Sequence, residues 1–295
     1  MKATHPSSIQ IPKVLTIAGS DSSGGAGVQA DLKTITALGG YGMSVITAIT
    51  AQNTLGVSRI QDIDLDTVKA QIAAVLSDIG SDVVKIGMLA SPEIVHTVAQ
   101  SLRQYGVKRI ILDPVLRATS GASLGGDDTA QAMIEELFPM ASLITPNLEE
   151  ASLLLGREIK TVTDYQVAAQ ELMEMGPQAV LIKGGHLDST HSQITDYLLW
   201  RSVEDDLEVT QSKEFRHERI ATPNTHGTGC TLASAIATYL ADGHDLSHAV
   251  AKAIAYVEGA LRAGLFLSIG EGPGPLWHMA DFYPTALPEE NTSAD

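Results

Sequence analysis

The sequence predicts an α/β protein whose central sheet is mostly parallel. Three observations predict it. Short β-branched runs alternate with longer stretches whose apolar residues recur at helical spacing. Those runs are apolar throughout rather than at every second residue, which is the pattern of strands buried on both faces. Their carboxyl ends repeatedly carry glycine and polar residues, and that edge is where open α/β sheets bind ligands.

The first strand is Val14-Leu15-Thr16-Ile17-Ala18. A glycine-rich loop from Gly19 to Gly27 follows, then a helix with Ala30, Leu32, Ile35 and Leu38 on its apolar stripe, stopped by Gly39-Gly40. A strand from Met43 to Thr50 ends in Ala51-Gln52-Asn53. Helical Val68, Ile72, Val75 and Leu76 precede the strand Val83-Val84-Lys85-Ile86, which ends in Gly87-Met88-Leu89. A helix over 92–105 leads to Arg109-Ile110-Ile111-Leu112 and then Asp113-Pro114-Val115. Ser120-Gly121-Ala122 and Gly125-Gly126 read as a flexible loop before a helix near 130–137. Ser142-Leu143-Ile144 ends in Thr145-Pro146-Asn147-Leu148-Glu149-Glu150, which opens another helix. A helix over 164–175 precedes Ala179 to Ile182 and then Lys183-Gly184-Gly185-His186. Tyr197 to Trp200 and Phe215 to Ala221, around an acidic turn at Asp205-Asp206, are expected to form an antiparallel extension. Two long helices near 231–241 and 246–267 close the unit. The body is read as one domain over 13–270, with a polar N-terminal tail at 1–12. A C-terminal tail at 271–295, rich in Pro, Gly and acids, is expected to be loosely held.

The 295 residues carry a formal net charge of −16, with 19 Lys and Arg against 35 Asp and Glu. Nucleic acid needs a basic footprint, so that class of partner is excluded. An acidic surface gives no reason for membrane attachment either, and no apolar run is long enough to span a bilayer. One cysteine forbids an internal disulfide and suits a reducing compartment, so a cytoplasmic protein is expected. Any anionic ligand must then be held by local devices: helix ends, a lysine or a divalent metal.

One such device is Asn224-Thr225-His226-Gly227-Thr228-Gly229-Cys230-Thr231, running into the helical pattern Leu232, Ile236, Leu240. The first N–H groups of a helix have no internal partner, and the helix dipole adds positive charge there. Glycines at that point let a phosphate approach. Such turns also serve as plain helix caps, so the turn alone decides nothing. A thiol at a helix start is expected to have a pKa below the free value of about 8.5. Lys183 at a strand end is placed to bridge ATP phosphates, or is a solvated lysine. Asp113 and Glu150 are placed to hold Mg²⁺, although Glu150 also suits a helix's first turn by charge alone.

Other motifs fall away. Gly25-x-Gly27-x-x-Ala30 matches the dinucleotide fingerprint, but the next strand ends in Gln52-Asn53 without the acidic residue that binds the ribose. There is no P-loop. His244 and His248 have zinc-pair spacing but no third ligand nearby.

Taken together and in order over residues 13–270, these stretches resemble the ribokinase-like superfamily. Within it the likeness is to the hydroxymethylpyrimidine/phosphomethylpyrimidine kinases of thiamine biosynthesis. It is carried by Ile17-Ala18-Gly19-Ser20-Asp21 with Gly24 to Lys33, Thr47 to Thr54, Val84 to Leu89, Leu112 to Val115, Ile144 to Ala151, Lys183 to His186 and the 224–231 turn. The resemblance implies a three-layer α/β/α sandwich and transfer of the ATP γ-phosphate to 4-amino-5-hydroxymethyl-2-methylpyrimidine, then to its monophosphate. It implies that Asp31 and Gln52 bind the aminopyrimidine edge, and that Gly19, Met88 and Val115 line its pocket. Lys183, Asn147, Thr225 and His226 would face ATP, and Asp113 and Glu150 the magnesium. Gly227, Thr228, Gly229 and Cys230 would serve the transfer itself, with Cys230 where most of the superfamily carries an aspartate base. A homodimer is implied as well. The chain departs from the pattern at Ala122, where members often carry an acidic residue, and at Ser22, where they often carry proline. A pyridoxal kinase of the same fold and a non-catalytic pyrimidine-binding regulator are the rival readings.

Overall fold

The computed structural model describes residues 9–116, 126–185, 192–204 and 207–282. The loop with Ser120-Gly121-Ala122, His186, the turn at Asp205-Asp206 and the outermost residues of both tails lie outside them. The first half of the chain gives β1 (Lys13–Asp21), α1 (Gly27–Ala37), β2 (Tyr41–Asn53), β3 (Gly56–Asp62), α2 (Leu65–Asp78), β4 (Val83–Ile86), α3 (Pro92–Gln104) and β5 (Ile110–Leu112). The second half gives α4 (Asp127–Glu136), β6 (Leu143–Ile144), α5 (Leu148–Leu155), α6 (Val162–Glu174), β7 (Ala179–Ile182), β8 (Gln193–Glu204), β9 (Leu207–Glu218), α7 (Thr228–Ala241) and α8 (Leu246–Ala263).

The strands form one nine-stranded sheet in the order β3-β2-β1-β4-β5-β6-β7-β8-β9. The middle is parallel, and the β2–β3, β7–β8 and β8–β9 pairs are antiparallel. Alternation of side chains across the pleat builds two cores. Leu15, Ile17, Val84, Ile86, Ile110 and Leu112 pack with α2, α3 and α4 on one face, while Val14, Val83 and Ile111 pack with α7 and α8 on the other. Both faces are covered, which is why the strands read as continuous apolar runs.

Two elements differ from the sequence reading. β3 was not expected: Gly56-Val57-Ser58-Arg59-Ile60-Gln61-Asp62 is an edge strand that is mostly exposed, so burial imposes no apolar period on it. The C-terminal tail is not loose from residue 271, and the body extends past 270. The Gly274 carbonyl accepts from His226 N–H at 3.0 Å, and Trp277 N–H donates to the Ala260 carbonyl at 3.1 Å. Leu276 and His278 are buried. Tyr256 Oη donates to the His278 carbonyl at 2.7 Å, and Thr231 Oγ1 lies 3.0 Å from His278 Nε2.

Candidate active site

Two glycine-rich turns meet at the carboxyl edge of the sheet. The first runs from the end of β1 into α1, and the second, 224–227, opens α7. Gly227 sits at φ 87°, in the left-handed region, and any side chain there would collide with the Gly25 carbonyl. The turns therefore pack backbone to backbone. Asp21 locks them together. Its Oδ1 accepts from Ser23 N–H (2.8 Å) and Ser23 Oγ (2.7 Å), while Oδ2 accepts from Ala26 N–H (2.8 Å) and pairs with His226 Nε2 (2.8 Å). Burial works to raise the Asp21 carboxyl, but the bonds from His226, Ser23 and Ala26 outweigh it and bring it down to about 2. His226 Nε2 also lies 3.3 Å from Gln52 Nε2, which ties the end of β2 to the same turn.

In the first turn of α7, Thr228 N–H closes on the Thr225 carbonyl at 3.2 Å and Thr231 N–H on the Gly227 carbonyl at 2.9 Å. The amides of Gly229 and Cys230 have no carbonyl of their own helix to reach, which makes this helix mouth an anion receiver. A methyl group on Gly229 would lie 3.3 Å from Lys183 Nζ and 3.5 Å from Asp113 Oδ2, which places this glycine against the lysine and the carboxylate.

Lys183, just beyond β7, donates to Asp113 Oδ1 at 2.9 Å and stands 3.9 Å from Glu150 Oε2. Asp113 also accepts from Thr145 Oγ1 at 2.9 Å. Burial would raise the Asp113 carboxyl, yet Lys183 and Lys85 hold it below the ordinary range. Burial would lower the Lys183 ammonium, yet Asp113 and Glu150 keep it raised. Glu150 forms a capping box with Asn147, each side chain bonding the other's N–H at 2.8–2.9 Å. Burial pushes the Glu150 carboxyl up to about 7, with Lys183 opposing and Asp113 adding to the rise.

One cavity of about 700 Å³ joins all of this. Gly19, Gln52, Met88 and Val115 line it at the ends of β1, β2, β4 and β5. Asp113, Asn147, Glu150, Lys183, Thr225, His226, Gly227, Thr228, Gly229 and Cys230 line its middle. Beyond them, toward β8 and β9, come Ile194, Ile220, Leu232, Ile254, Val257 and Leu261, with His217 and Glu258 beside them. The volume is that of a site for small organic ligands. The end with Gly19, Gln52, Met88 and Val115, the start of α7 and an apolar arm follow one another along the sheet edge.

The sequence was then compared with known proteins. The model of the phosphomethylpyrimidine kinase family matches residues 21–277. The chain belongs to that family. A hydroxymethylpyrimidine/phosphomethylpyrimidine kinase of Rhizobium meliloti is 48% identical over 90% of this chain and 96% of its own length. A probable thiamine biosynthetic bifunctional enzyme of rice, described as chloroplastic, is 46% identical over 91% of this chain, which spans only 48% of that longer protein. Among solved structures, the phosphomethylpyrimidine kinase of Clostridium difficile 630 matches with a TM-score of 0.70 at 43% identity, over 85% of this chain and 100% of its own. An ADP complex of Bacillus subtilis pyridoxal kinase matches with a TM-score of 0.80 at 37% identity, over 92% and 99%.

Within this kinase frame two expectations need correction. Asp31 does not line the cavity. It is fully buried behind the wall, where both carboxylate oxygens lie 2.9 Å from Lys85 Nζ. Nor does the helix start lower the thiol. Burial pushes the Cys230 pKa up to about 11. Lys85 pulls it down, Asp31 and Asp113 push it up, and a hydrogen bond from Gly27 N–H pulls it down again. Removing a unit charge from water outweighs the partial charge of a helix end.

Sequence reasoning missed Asp21 as the lock between the turns, although an Asp followed by Ser22-Ser23-Gly24 is a turn-forming signal. It also missed the apolar arm, whose residues come from β8, the segment after β9, α7 and α8. There, Asp196 accepts from Gly184 N–H at 2.8 Å and meets His217 Nε2 at 3.1 Å, which fixes Gly184 just after Lys183.

Proposed function

We propose that this kinase transfers the γ-phosphoryl group of ATP to the hydroxymethyl oxygen of 4-amino-5-hydroxymethyl-2-methylpyrimidine and then to the monophosphate, a step of thiamine biosynthesis. The observation that carries the reading is the single cavity joining Gly19, Gln52, Met88 and Val115 to the first turn of α7, with Lys183 beside that turn. The Gln52 amide offers a donor and an acceptor to an aminopyrimidine edge, and the Met88 thioether packs on the ring face. ATP enters along the apolar arm, its base against Ile254, Val257 and Leu261, and its phosphates meet Lys183, Asn147, Thr225 and His226. As the terminal phosphoryl moves, the amides of Gly227 to Cys230 receive its charge. One well-aimed donor of this kind is worth about 2.7–4 kcal/mol of barrier.

Cys230, protonated at neutral pH, orients the acceptor hydroxyl rather than deprotonating it beforehand, which is enough when the transition state is loose. Magnesium fits the Asp113–Glu150 pair. Lys183 Nζ lies 2.9 Å from Asp113 Oδ1 and 3.9 Å from Glu150 Oε2, so the two carboxylates already converge on one positive charge. Magnesium accepts a few carboxylates and keeps waters, and when bound it would neutralise phosphate oxygens.

A second reading, activity on pyridoxal, is favoured by the likeness to pyridoxal kinases over 92% of this chain. We also place the protein in the cytoplasm as a homodimer. The lone cysteine suits a reducing compartment, and among the described residues no helix is long and apolar enough to cross a membrane. The exposed Tyr41, Ile49, Leu55 and Ile60 at the β2–β3 edge suit contact with a second copy. Coupled ADP release with Mg-ATP and, in turn, the pyrimidine, its monophosphate and pyridoxal tests the assignment. Turnover is expected with the first two. Failure of every ring compound to stimulate ADP release would overturn the assignment.

A further inference from the structure

A fully buried ion pair lies behind the cavity wall, unused by the transfer itself. Lys85 Nζ stands 2.9 Å from both carboxylate oxygens of Asp31, and neither side chain has any exposure. Asp31 Oδ1 also accepts from Ser234 Oγ at 2.7 Å, and Oδ2 from Thr16 Oγ1 at 2.6 Å. Buried pairs add little net stability, while stranding one partner is costly. The position of this pair is its notable property. Thr16 precedes Ala18 and Gly19 on β1, and Lys85 precedes Met88 just past β4. Ser234 lies one helical turn after Cys230 on α7, and Asp31 one turn after Gly27 on α1. The flanking residues all line the cavity. The second turns of α1 and α7 are joined behind the wall by the Asp31–Ser234 bond, one turn beyond Gly27 and Cys230.

We propose that Asp31 is a positioning residue: it touches no substrate and fixes, through Thr16, Lys85 and Ser234, the separation between the ring pocket on β1 and β4 and the phosphoryl-receiving turn on α7. The proposal rests on the kinase reading above. A misplacement of about 1 Å costs about 10²-fold in a positioned transfer. With the alcohol out of line, water takes its place as acceptor. The bond from the γ-phosphorus to the ADP oxygen still breaks, the new bond forms to water, and the products are ADP, inorganic phosphate and a proton.

The experiment measures ADP and phosphorylated pyrimidine in the same reactions for wild type, Asp31→Asn, Ser234→Ala, Thr16→Val and the double variant Asp31→Asn/Lys85→Met. Wild type is expected to release close to one ADP per phosphorylated pyrimidine. Asp31→Asn should raise that ratio ~2-fold or more, and the two hydroxyl variants should raise it less. The double variant strands no charge and should fold more stably than Asp31→Asn, but it lacks the tie to Lys85 and should keep a raised ratio. Because the ratio does not depend on the fraction of folded enzyme, a purely structural role would not move it. A wild-type ratio in folded Asp31→Asn and Ser234→Ala overturns the proposal. So does loss of pyrimidine affinity in Asp31→Asn that the double variant fails to restore, since that marks a direct ring contact. If Asp31→Asn does not fold, Ser234→Ala and the double variant decide by the same criteria. A wild type that phosphorylates no pyrimidine overturns the kinase reading instead.

Discussion

Replacing Asp21 with asparagine tests whether the contact between the two glycine turns is electrostatic. The carboxylate takes four hydrogen bonds, and its pKa falls from 3.8 to about 2 on folding. Because the folded pKa is the lower one, the stabilisation is complete above pH 4–5 and is lost as pH falls through 3.8 toward 2. The shift of nearly two units corresponds to ~2.4 kcal/mol at pH 7, of which ~1.3 kcal/mol remains at pH 3. Asparagine cannot titrate, and it turns a donor toward groups that are themselves donors, adding a pH-independent loss of about 1–3 kcal/mol. Urea unfolding of wild type and Asp21→Asn, followed by tryptophan fluorescence at pH 7, 5, 4 and 3, reads both parts. The gap in stability between the two proteins should exceed ~2 kcal/mol at pH 7 and narrow by ~1 kcal/mol by pH 3. A gap that does not change with pH would refute the argument.

Cys230, with its pKa pushed up to about 11, should react slowly with iodoacetamide at neutral pH, and the rate should climb about tenfold per pH unit through pH 8–10. A plateau near pH 7 would show the helix end winning over burial. A chain ending at Gly270 loses the buried Leu276 and His278 and the Gly274 carbonyl that holds His226, so it should unfold more easily by roughly 2–4 kcal/mol in urea. One ending at Phe282 is the comparison, and equal stability of the two truncations would show that residues 271–282 are not part of the body.

Much of the catalytic edge was legible in the sequence because its signals are local. A strand that ends in glycine and is followed by a helical stripe places its loop at the carboxyl edge whatever the rest of the chain does. That reasoning located Gly19, Gln52, Met88, Asp113, Lys183 and the 224–231 turn, and the first five line one cavity with residues 225–230 of the turn. The same reasoning failed at β3, where an exposed edge strand carries no apolar period, and at residues 271–278. In the latter stretch the ties run largely through backbone carbonyls and one leucine, so Pro and Gly composition concealed an ordered segment.

The sequence by itself determined the α/β layering, the sheet edge that carries the chemistry and the family. Only the tertiary structure decided what the charged residues do there. Asp31 moved from the ring pocket to the interior because Lys85, Thr16 and Ser234, distant in the chain, converge on it. Cys230 went from an expected lowered pKa to a raised one because desolvation exceeds what one helix end supplies. Helix starts and glycine turns are written in a few neighbouring residues. A side chain's charge state depends on everything that folding brings within several ångströms of it, and spacing along the chain does not record that.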